Sequence, residues 1–163
     1  MCDFVTPIGE FWLHTRDHGI VALAVDPPDQ PGSEVLRRLV GAWLRDYFSG
    51  AAPSLAALPL RPEGTAFQQR VWEAMRTIPA GRVESYGSLA RRLGSAPRAV
   101  GRALALNPIP VLLPCHRVVA ANGELTGYSG PGGVASKRLL LTLEGVCVLE
   151  EKIGLRVVPP PGG

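Results

Sequence analysis

Cys115 and His116 stand side by side in the segment IPVLLPCHRVV (109–119) and carry side chains suited to nucleophilic chemistry. A thiol becomes a good nucleophile when a nearby base removes its proton, and the base works best when a third group orients it. Pro114 restrains the backbone before the cysteine, and Glu144 supplies a carboxylate further along the chain. These residue types predict a thiolate nucleophile that is served by a histidine base.

Other interpretations of the cysteines stay open at this point. Adjacent side chains of an extended segment point to opposite sides, so His116 would reach the thiol only through a water or a bend. A free cysteine can also be a small buried apolar residue, which is the interpretation kept for Cys2 and Cys147. Because three cysteines show no CxxC spacing, and no second ligand pair has suitable spacing, we expect neither a disulfide framework nor a zinc site.

Composition and charge narrow the class of protein. The chain has 163 residues, of which 46% are hydrophobic and 19% charged, as expected for a folded core. No apolar run approaches the roughly 20 residues of a membrane span, and the N-terminus does not resemble a secretory signal. We therefore expect a cytoplasmic protein (nuclear in a eukaryote) without membrane contact. The net charge of +3 and a pI near 9.0 suit a nucleic-acid binder without proving one.

The first third of the chain predicts a small lobe of mixed structure. EFWLHT and IVALAVD are strand-like runs that form a hairpin over residues 10–25. Apolar residues recur at helical spacing over 33–48, where Ser33 is suited to the N-cap. We expect an α/β lobe over residues 1–55, with a small antiparallel sheet and a helix, and a linker over 56–64.

Residues 65–150 predict a second, mostly helical domain, so that the whole chain is of the α+β class. Thr65 and Gln68 have the spacing of a capping box. A short helix around 86–93 ends at Gly94, and a second helix follows, so that the two form a helix-turn-helix. An ordinary helical hairpin is the alternative. We expect residues 151–163 to be a flexible tail.

The second helix of this pair has an unusual surface. Ala99 and Ala103 are four residues apart with Gly101 between them, and Arg98 and Arg102 share the same spacing. Small side chains allow a close approach, which suits a DNA minor groove about 6 Å wide better than base-edge readout in the major groove. The pattern favours DNA binding with little sequence preference, although an arginine-rich solvated face remains the alternative.

Three segments resemble one known family, the O6-alkylguanine-DNA alkyltransferases, also called methylated-DNA–protein-cysteine methyltransferases. They are FQQRVWEAMRTIPAGRVESYGSLA, RAVGRALALNPIPVLLPCHRVV and GYSGPGGVASKRLLLTLEG. The resemblance implies repair of O6-alkylguanine, chiefly O6-methylguanine, in duplex DNA after base flipping. The alkyl group passes irreversibly and stoichiometrically to Cys115, without a cofactor. A DNA-binding protein of helix-turn-helix or alkyltransferase-like type, without chemistry, is the alternative, and the PCHR segment argues against it.

The resemblance also implies roles for individual residues and a partner. The partner is double-stranded DNA bound through the minor groove by a protein expected to be monomeric, with clustering of copies on DNA left open. Cys2, His14 and His18 do not reproduce the zinc ligands of some family members, so no metal is expected. The implied residues are Cys115, His116, Glu144, Asn107, Tyr86 and Lys137 in catalysis, Arg98, Ala99, Arg102, Ala103 and Tyr86 in DNA binding, and Tyr128, Ser129 and Val118 in the base pocket.

Overall fold

The computed structural model describes residues 1–151 and 154–161. Its first lobe contains the antiparallel strands β1 (Phe4–Thr6), β2 (Gly9–Arg16) and β3 (Gly19–Ala24), in the order β1-β2-β3. Helix α1 (Glu34–Phe48) follows, and the Ser33 hydroxyl accepts a hydrogen bond from the Leu36 N–H at 3.2 Å. The predicted hairpin and helix of this lobe are therefore confirmed.

The second lobe begins with helix α2 (Ala66–Arg76), where both hydrogen bonds of the Thr65–Gln68 capping box form. The two-residue strand β4 (Glu84–Ser85) leads into α3 (Tyr86–Leu93), and α4 (Pro97–Ala105) follows after a tight turn. Gly94 ends α3 in the left-handed conformation, with a φ of 62°, which glycine adopts without steric cost. The predicted pair of short helices is present, and both pack on α2.

The chain then returns beneath the helices to the segment that carries the cysteine. Residues 115–117 form a 3-10 turn, and β5 (Val118–Val119) pairs in parallel with β4. Helix α5 (Gly133–Leu143) follows and carries its buried face against the 3-10 turn. This mixture of helices and small sheets confirms the predicted α+β class.

The two lobes share one hydrophobic core. Buried side chains of β2, α1, α2 and the segment before the cysteine belong to a single cluster, which includes Phe11, Val40, Trp72 and Leu112. The connection also bonds to the first lobe, since Ile20 donates its N–H to the Pro59 carbonyl at 2.8 Å. Contacts across this boundary place α1 close to the second lobe, which matters for the site below. The domain boundaries predicted from the sequence stay a prediction.

The end of the chain differs from the expectation of a flexible tail over 151–163. Strand β6 (Cys147–Glu151) pairs antiparallel with β7 (Gly154–Val158). Val157 is buried in a second cluster with Val119, Leu125 and Leu141, and burial of this apolar surface stabilises the hairpin. The expectation is wrong for residues 154–158, while residues 152–153 and 162–163 lie outside the described part. Within the described ranges, no helix has the length and apolar character needed to cross a membrane.

Candidate active site

Cys115 begins the 3-10 turn directly after Pro114, and its backbone N–H donates to the Leu113 carbonyl at 2.8 Å. Its side chain is buried but reaches one wall of a pocket of about 110 Å³. The Sγ atom lies 3.2 Å from the Ser129 hydroxyl. The thiol therefore faces a partly open pocket that also holds a hydroxyl able to donate a hydrogen bond.

Asn107 holds the loop that delivers the cysteine. Its side-chain amide donates to the Leu113 carbonyl at 2.9 Å, and its side-chain oxygen accepts from the Ile109 N–H at 2.9 Å. Between them, Val111 is buried with a φ of 73°, a strained conformation for a β-branched residue. The buried asparagine thus closes the loop from within and fixes the backbone just before Cys115.

His116 and Glu144 form a buried pair. The His116 Nε2 atom lies 2.7 Å from Oε2 of Glu144, and the two side chains are 0% and 3% exposed. Because a carboxylate can only accept, Nε2 carries the proton and Nδ1 has the free lone pair. Nδ1 is buried and has no hydrogen-bond partner among the described residues. The carboxylate therefore holds the His116 ring in one orientation, and the described structure has no direct hydrogen bond between His116 and Cys115.

Two further residues hold the Glu144 carboxylate. Arg117 donates through Nε at 2.6 Å and also binds the Ile78 carbonyl, and the Tyr47 hydroxyl donates to Oε2 at 3.1 Å. Burial alone raises the pKa of Glu144, but the hydrogen bond from His116 and the hydrogen bonds and charge of Arg117 outweigh burial and hold the pKa of this carboxyl well below its usual value. The carboxylate is thus ionised at every pH near neutrality.

The sequence interpretation gave no role to Arg117 or Tyr47. Arg117 is part of the PCHR segment, so its position beside His116 was available as a signal. Tyr47 lies 97 residues before Glu144 and follows the apolar pattern of α1, which predicts only a buried position. No local pattern could therefore have connected this tyrosine with the site.

His116 has the environment of a neutral base. Burial lowers the pKa of the His116 imidazole, and the opposing attraction of Glu144 does not overcome it. The cations of Arg117 and Lys137 act in the same direction as burial. A neutral imidazole with an unbonded nitrogen can accept a proton, which is the property required of a general base.

The pocket in front of Cys115 is lined by residues from several elements. Tyr86 stands at the start of α3, with its hydroxyl 3.3 Å from the Thr126 hydroxyl, and burial raises its pKa. Among the described residues the buried Tyr128 hydroxyl has no hydrogen-bond partner of good geometry, although the Val111 backbone lies close to it. Burial, followed by the nearby Cys115 charge, raises the pKa of Tyr128. The lining residues are Tyr86, Gly101, Leu104, Ala105, Cys115, Gly127, Tyr128 and Ser129.

Lys137 ties the pocket wall to the strand that follows the cysteine. Its side chain is almost fully buried, and Nζ donates to the carbonyls of Val118 at 2.7 Å and Gly127 at 3.0 Å. Nζ also lies 5.9 Å from the ring centroid of Tyr86. Burial lowers the pKa of Lys137 to about 8, against the effect of the Cys115 charge. Val118, expected in the pocket, is not among its lining residues; its carbonyl anchors the lysine instead.

Helix α4 presents a different small-residue face from the expected one. Arg98, Arg102 and Ala105 are exposed and Ala99 is half-buried, but Ala103 is only 3% exposed, so its expected contact with DNA is wrong. At about 100° per residue, position 103 lies about 140° from Arg98, whereas position 105 lies about 20° from it. The carbonyl of Ala103 accepts a hydrogen bond from the Trp72 indole at 2.9 Å, which places this face of α4 against α2.

Part of the arginine excess serves the fold. Arg92 binds Glu84 at 3.2 Å and the Ala74 carbonyl at 2.9 Å, and Arg70 donates to the carbonyl that ends α3. The alternative of a purely solvated arginine face therefore does not describe these two residues. Across residues 1–151 and 154–161, no three His, Cys, Asp or Glu side chains cluster as metal ligands would.

The amino-acid sequence of this chain is similar to those of methylated-DNA–protein-cysteine methyltransferases. Residues 66–146 match the family model described as 6-O-methylguanine DNA methyltransferase, DNA binding domain. The methylated-DNA–protein-cysteine methyltransferase of Methanosarcina acetivorans is 40% identical over 154 residues, which cover 88% of this chain and 97% of the relative. The protein of the same name from Shigella flexneri is 49% identical over 108 residues, 65% of this chain and 62% of that relative's length.

Solved structures give the same relationship. The crystal structure of Mycobacterium tuberculosis OGT in complex with DNA superimposes with a TM-score of 0.75 and 39% identity, covering 86% of this chain and 89% of that one. Schizosaccharomyces pombe Atl1, solved with damaged DNA containing O6-carboxymethylguanine, gives a TM-score of 0.50 at 30% identity and covers 58% of this chain. The Methanosarcina match extends over nearly the full length of both proteins, and from it we conclude that this chain belongs to the methylated-DNA–protein-cysteine methyltransferase family.

Proposed function

We propose that this chain repairs O6-alkylguanine, chiefly O6-methylguanine, in duplex DNA by transferring the alkyl group to Cys115 once per molecule. The observation that carries the proposal is the placement of the Cys115 thiol in a pocket wall, next to the buried His116–Glu144 pair. In enzyme terms, the activity is that of a single-turnover methylated-DNA–[protein]-cysteine S-methyltransferase. The proposed reaction needs no cofactor, because the alkylated guanine is itself the alkyl donor and the transfer involves no oxidation or reduction.

The proton of the thiol leaves through His116. Its Nδ1 atom carries the free lone pair and accepts this proton through one water, since the structure has no direct bond between the two side chains. Glu144 is ionised and stabilises the imidazolium that results. The Ser129 hydroxyl, 3.2 Å from Sγ, donates to the thiolate. The base, its orienting group and the donor thus each have a defined atom.

The thiolate then displaces guanine from the alkyl carbon. The S–C bond forms as the C–O6 bond breaks, and the electron pair of that bond remains on the guanine. Tyr86 lines the pocket and supplies a proton to the departing base. The Tyr86 phenolate is then reprotonated from water, and the His116 imidazolium releases the proton it took from the thiol, so that the protons balance. The buried Lys137 ammonium sits beside the Tyr86 ring and favours negative charge in this pocket. The resulting thioether has no ionisable proton, so Cys115 is not regenerated.

The guanine must leave the duplex to reach Cys115, because the thiol lies inside a pocket that a stacked base cannot enter. Arg98 is exposed at the second position of α4 and enters the stack in place of the extruded nucleotide. Tyr86 at the start of α3 presses on the target phosphate. Tyr128 and Ser129 belong to the loop that closes over the flipped base.

Helix α4 lies in the minor groove in this proposal, with its exposed face toward the DNA. Gly101 and Ala105 line the pocket, so the groove-facing surface runs directly into the base site. Ala99 contacts the sugar-phosphate edge, and the exposed Arg102 adds a phosphate contact. The protein acts as a monomer in the cytoplasm, and we leave open whether copies cluster on DNA.

The direct test is intact-protein mass spectrometry after mixing with duplex DNA that carries O6-methylguanine. Each chain should gain the mass of one CH2 group, mapped to the peptide that contains Cys115, at a ratio of one methyl group per protein. Turnover of several substrates per chain would contradict the proposal, as would a label on Cys2 or Cys147. A protein that binds this DNA without any gain in mass would instead be a DNA-binding protein of alkyltransferase-like type that transfers no alkyl group.

Bulky residues at two alanines of α4 should affect different properties, DNA affinity at position 105 and fold stability at position 103. Ala105→Phe should weaken binding to two undamaged duplexes of different sequence equally, because it fills the groove-facing surface of an exposed position. Ala103→Phe should instead destabilise the fold, by about 1–3 kcal/mol for an overpacked core position. Titration with both duplexes at several salt concentrations, together with thermal unfolding, measures the two effects. Affinity should fall steeply with salt, since phosphate contacts release counterions.

Ala56→Phe, at an exposed position of the connecting segment, is the matched control and should bind both duplexes normally. A strong preference of the unaltered protein for one undamaged sequence would show that base edges are read. An Ala105→Phe protein with normal DNA affinity would show that this face of α4 does not enter the groove.

A further inference from the structure

A tyrosine of the first lobe reaches the carboxylate of the second. Tyr47 lies in the last turn of α1, and its side chain is buried. Its hydroxyl donates at 3.1 Å to the Oε2 atom of Glu144. The same oxygen accepts the His116 Nε2–H at 2.7 Å. One carboxylate oxygen therefore receives hydrogen bonds from both lobes.

The packing of Tyr47 holds this hydroxyl in place. Its ring stacks on Trp43 with centroids 5.1 Å apart and an interplanar angle of 9°, and Phe48 contacts it edge-on. Burial, followed by the charge of Glu144, raises the pKa of Tyr47 far above its usual value. The hydroxyl therefore stays protonated and acts only as a donor toward the carboxylate.

We propose that Tyr47 is a positioning residue through which the first lobe sets how strongly Glu144 holds His116. The consequence for alkyl transfer rests on the proposed function above. The hydrogen bond from Tyr47 takes up part of the negative charge on Oε2. Without this donor, Oε2 becomes a stronger acceptor for the His116 Nε2–H and stabilises the imidazolium. Removal of the hydroxyl should therefore raise the pKa of His116, although the ring lies in the other lobe.

A Tyr47→Phe change removes only the Tyr47 hydroxyl and keeps the other charged and titratable groups around His116 and Glu144. Arg117, from the 3-10 turn, binds the carboxylate directly, and Lys137, from α5, adds a second cation that opposes the imidazolium. Cys115, Tyr86 and Tyr128 are the titratable residues that line the pocket. Since none of these groups is altered by a tyrosine-to-phenylalanine change, a shift at His116 reports the missing hydrogen bond.

The experiment is nuclear magnetic resonance on Tyr47→Phe protein labelled with ¹⁵N in its three histidines. Loss of one hydrogen bond to the carboxylate should raise the pKa of His116 by roughly 0.5 to 1 unit. The Nε2–H proton of His116 should also move downfield, which is read at a single pH and needs no titration. His14 and His18 serve as internal references, and His116→Gln assigns the resonance.

Trp43→Phe is the matched control, because it keeps an aromatic ring stacked on Tyr47, changes only the size of that ring and leaves the hydroxyl bond to Glu144 in place. It should leave both His116 signals unchanged. The proposal is overturned if Tyr47→Phe moves neither signal, or if Trp43→Phe moves them as much. Circular dichroism confirms that both variants fold.

The consequence for the reaction is a separate measurement. His116 acts as a base only in its neutral form, and an imidazole with a higher pKa is already protonated at a higher pH. The acid limb of the rate of Cys115 methylation should therefore shift to higher pH in Tyr47→Phe. If the unaltered protein transfers no methyl group while the His116 signals still respond, the proposed function fails and the coupling through Tyr47 stands. A normal transfer rate with an unmoved limb and unmoved signals would retain the function and refute the coupling.

Discussion

Cys115→Ser is expected to abolish alkyl transfer while its affinity for DNA carrying O6-methylguanine stays close to that of the unaltered protein. In the proposed reaction the Cys115 thiolate is the nucleophile, and a serine hydroxyl ionises far less readily beside the same histidine. The side chain is buried in the pocket wall rather than on the exposed face of α4, so the proposed DNA-binding surface should be unchanged. Mass spectrometry measures transfer, and a binding titration at fixed salt measures affinity.

Cys147→Ser provides the matched control, because Cys147 is a free and exposed cysteine. This variant should take up one methyl group per chain, as the unaltered protein does. Residual transfer in Cys115→Ser would remove Cys115 from the role of acceptor. A loss of DNA affinity in the same variant would mean that the change disturbs the fold, so that the missing transfer says nothing about nucleophilicity.

Arg98→Ala is expected to slow repair in duplex DNA by about a hundredfold and to leave transfer from free O6-methylguanine nearly unchanged. Extruding a base costs a few kcal/mol, and each 1.4 kcal/mol or so corresponds to a tenfold change in rate. Arg98 is exposed at the start of α4 and is not among the residues that line the pocket. Its loss should therefore affect only the step that brings the base out of the stack. Single-turnover rates on the two substrates measure the ratio.

Arg102→Ala is the matched control for this second prediction, since Arg102 is also exposed and lies one turn further along α4. Because Arg102 is proposed to contact a phosphate, the Arg102→Ala variant should bind all duplexes more weakly and to the same extent. The number of counterions released on binding, given by the dependence of log affinity on log salt concentration, should fall by about one. Equal slowing of Arg98→Ala on duplex and free base would refute the role in base extrusion. A hundredfold loss on duplex in Arg102→Ala as well would mean that charge alone, rather than insertion at Arg98, explains the effect.

Local interactions explain why several elements follow from the sequence. Ser33 caps α1, and Thr65 with Gln68 caps α2, because each of these hydrogen bonds joins residues only three positions apart. Gly94 ends α3 because glycine adopts the left-handed conformation without steric cost, a property of this single residue. Cys115 and His116 are likewise adjacent to each other and directly follow the apolar residues 109–114. The sequence alone therefore predicts the helix pair and the reactive segment.

The sequence by itself predicted Cys115 as the nucleophile, the N-caps of α1 and α2 and the end of α3 at Gly94, and it determined the small-residue character of α4. Only the tertiary structure decided which of those small residues is buried, because packing against α2 turns Ala103 inward and leaves Ala105 outside. It also decided that β7 pairs with β6, and that Tyr47 meets Glu144 across 97 positions. Contacts between distant segments depend on how whole helices and strands pack. The residue pattern within one segment therefore does not identify the segment that it contacts.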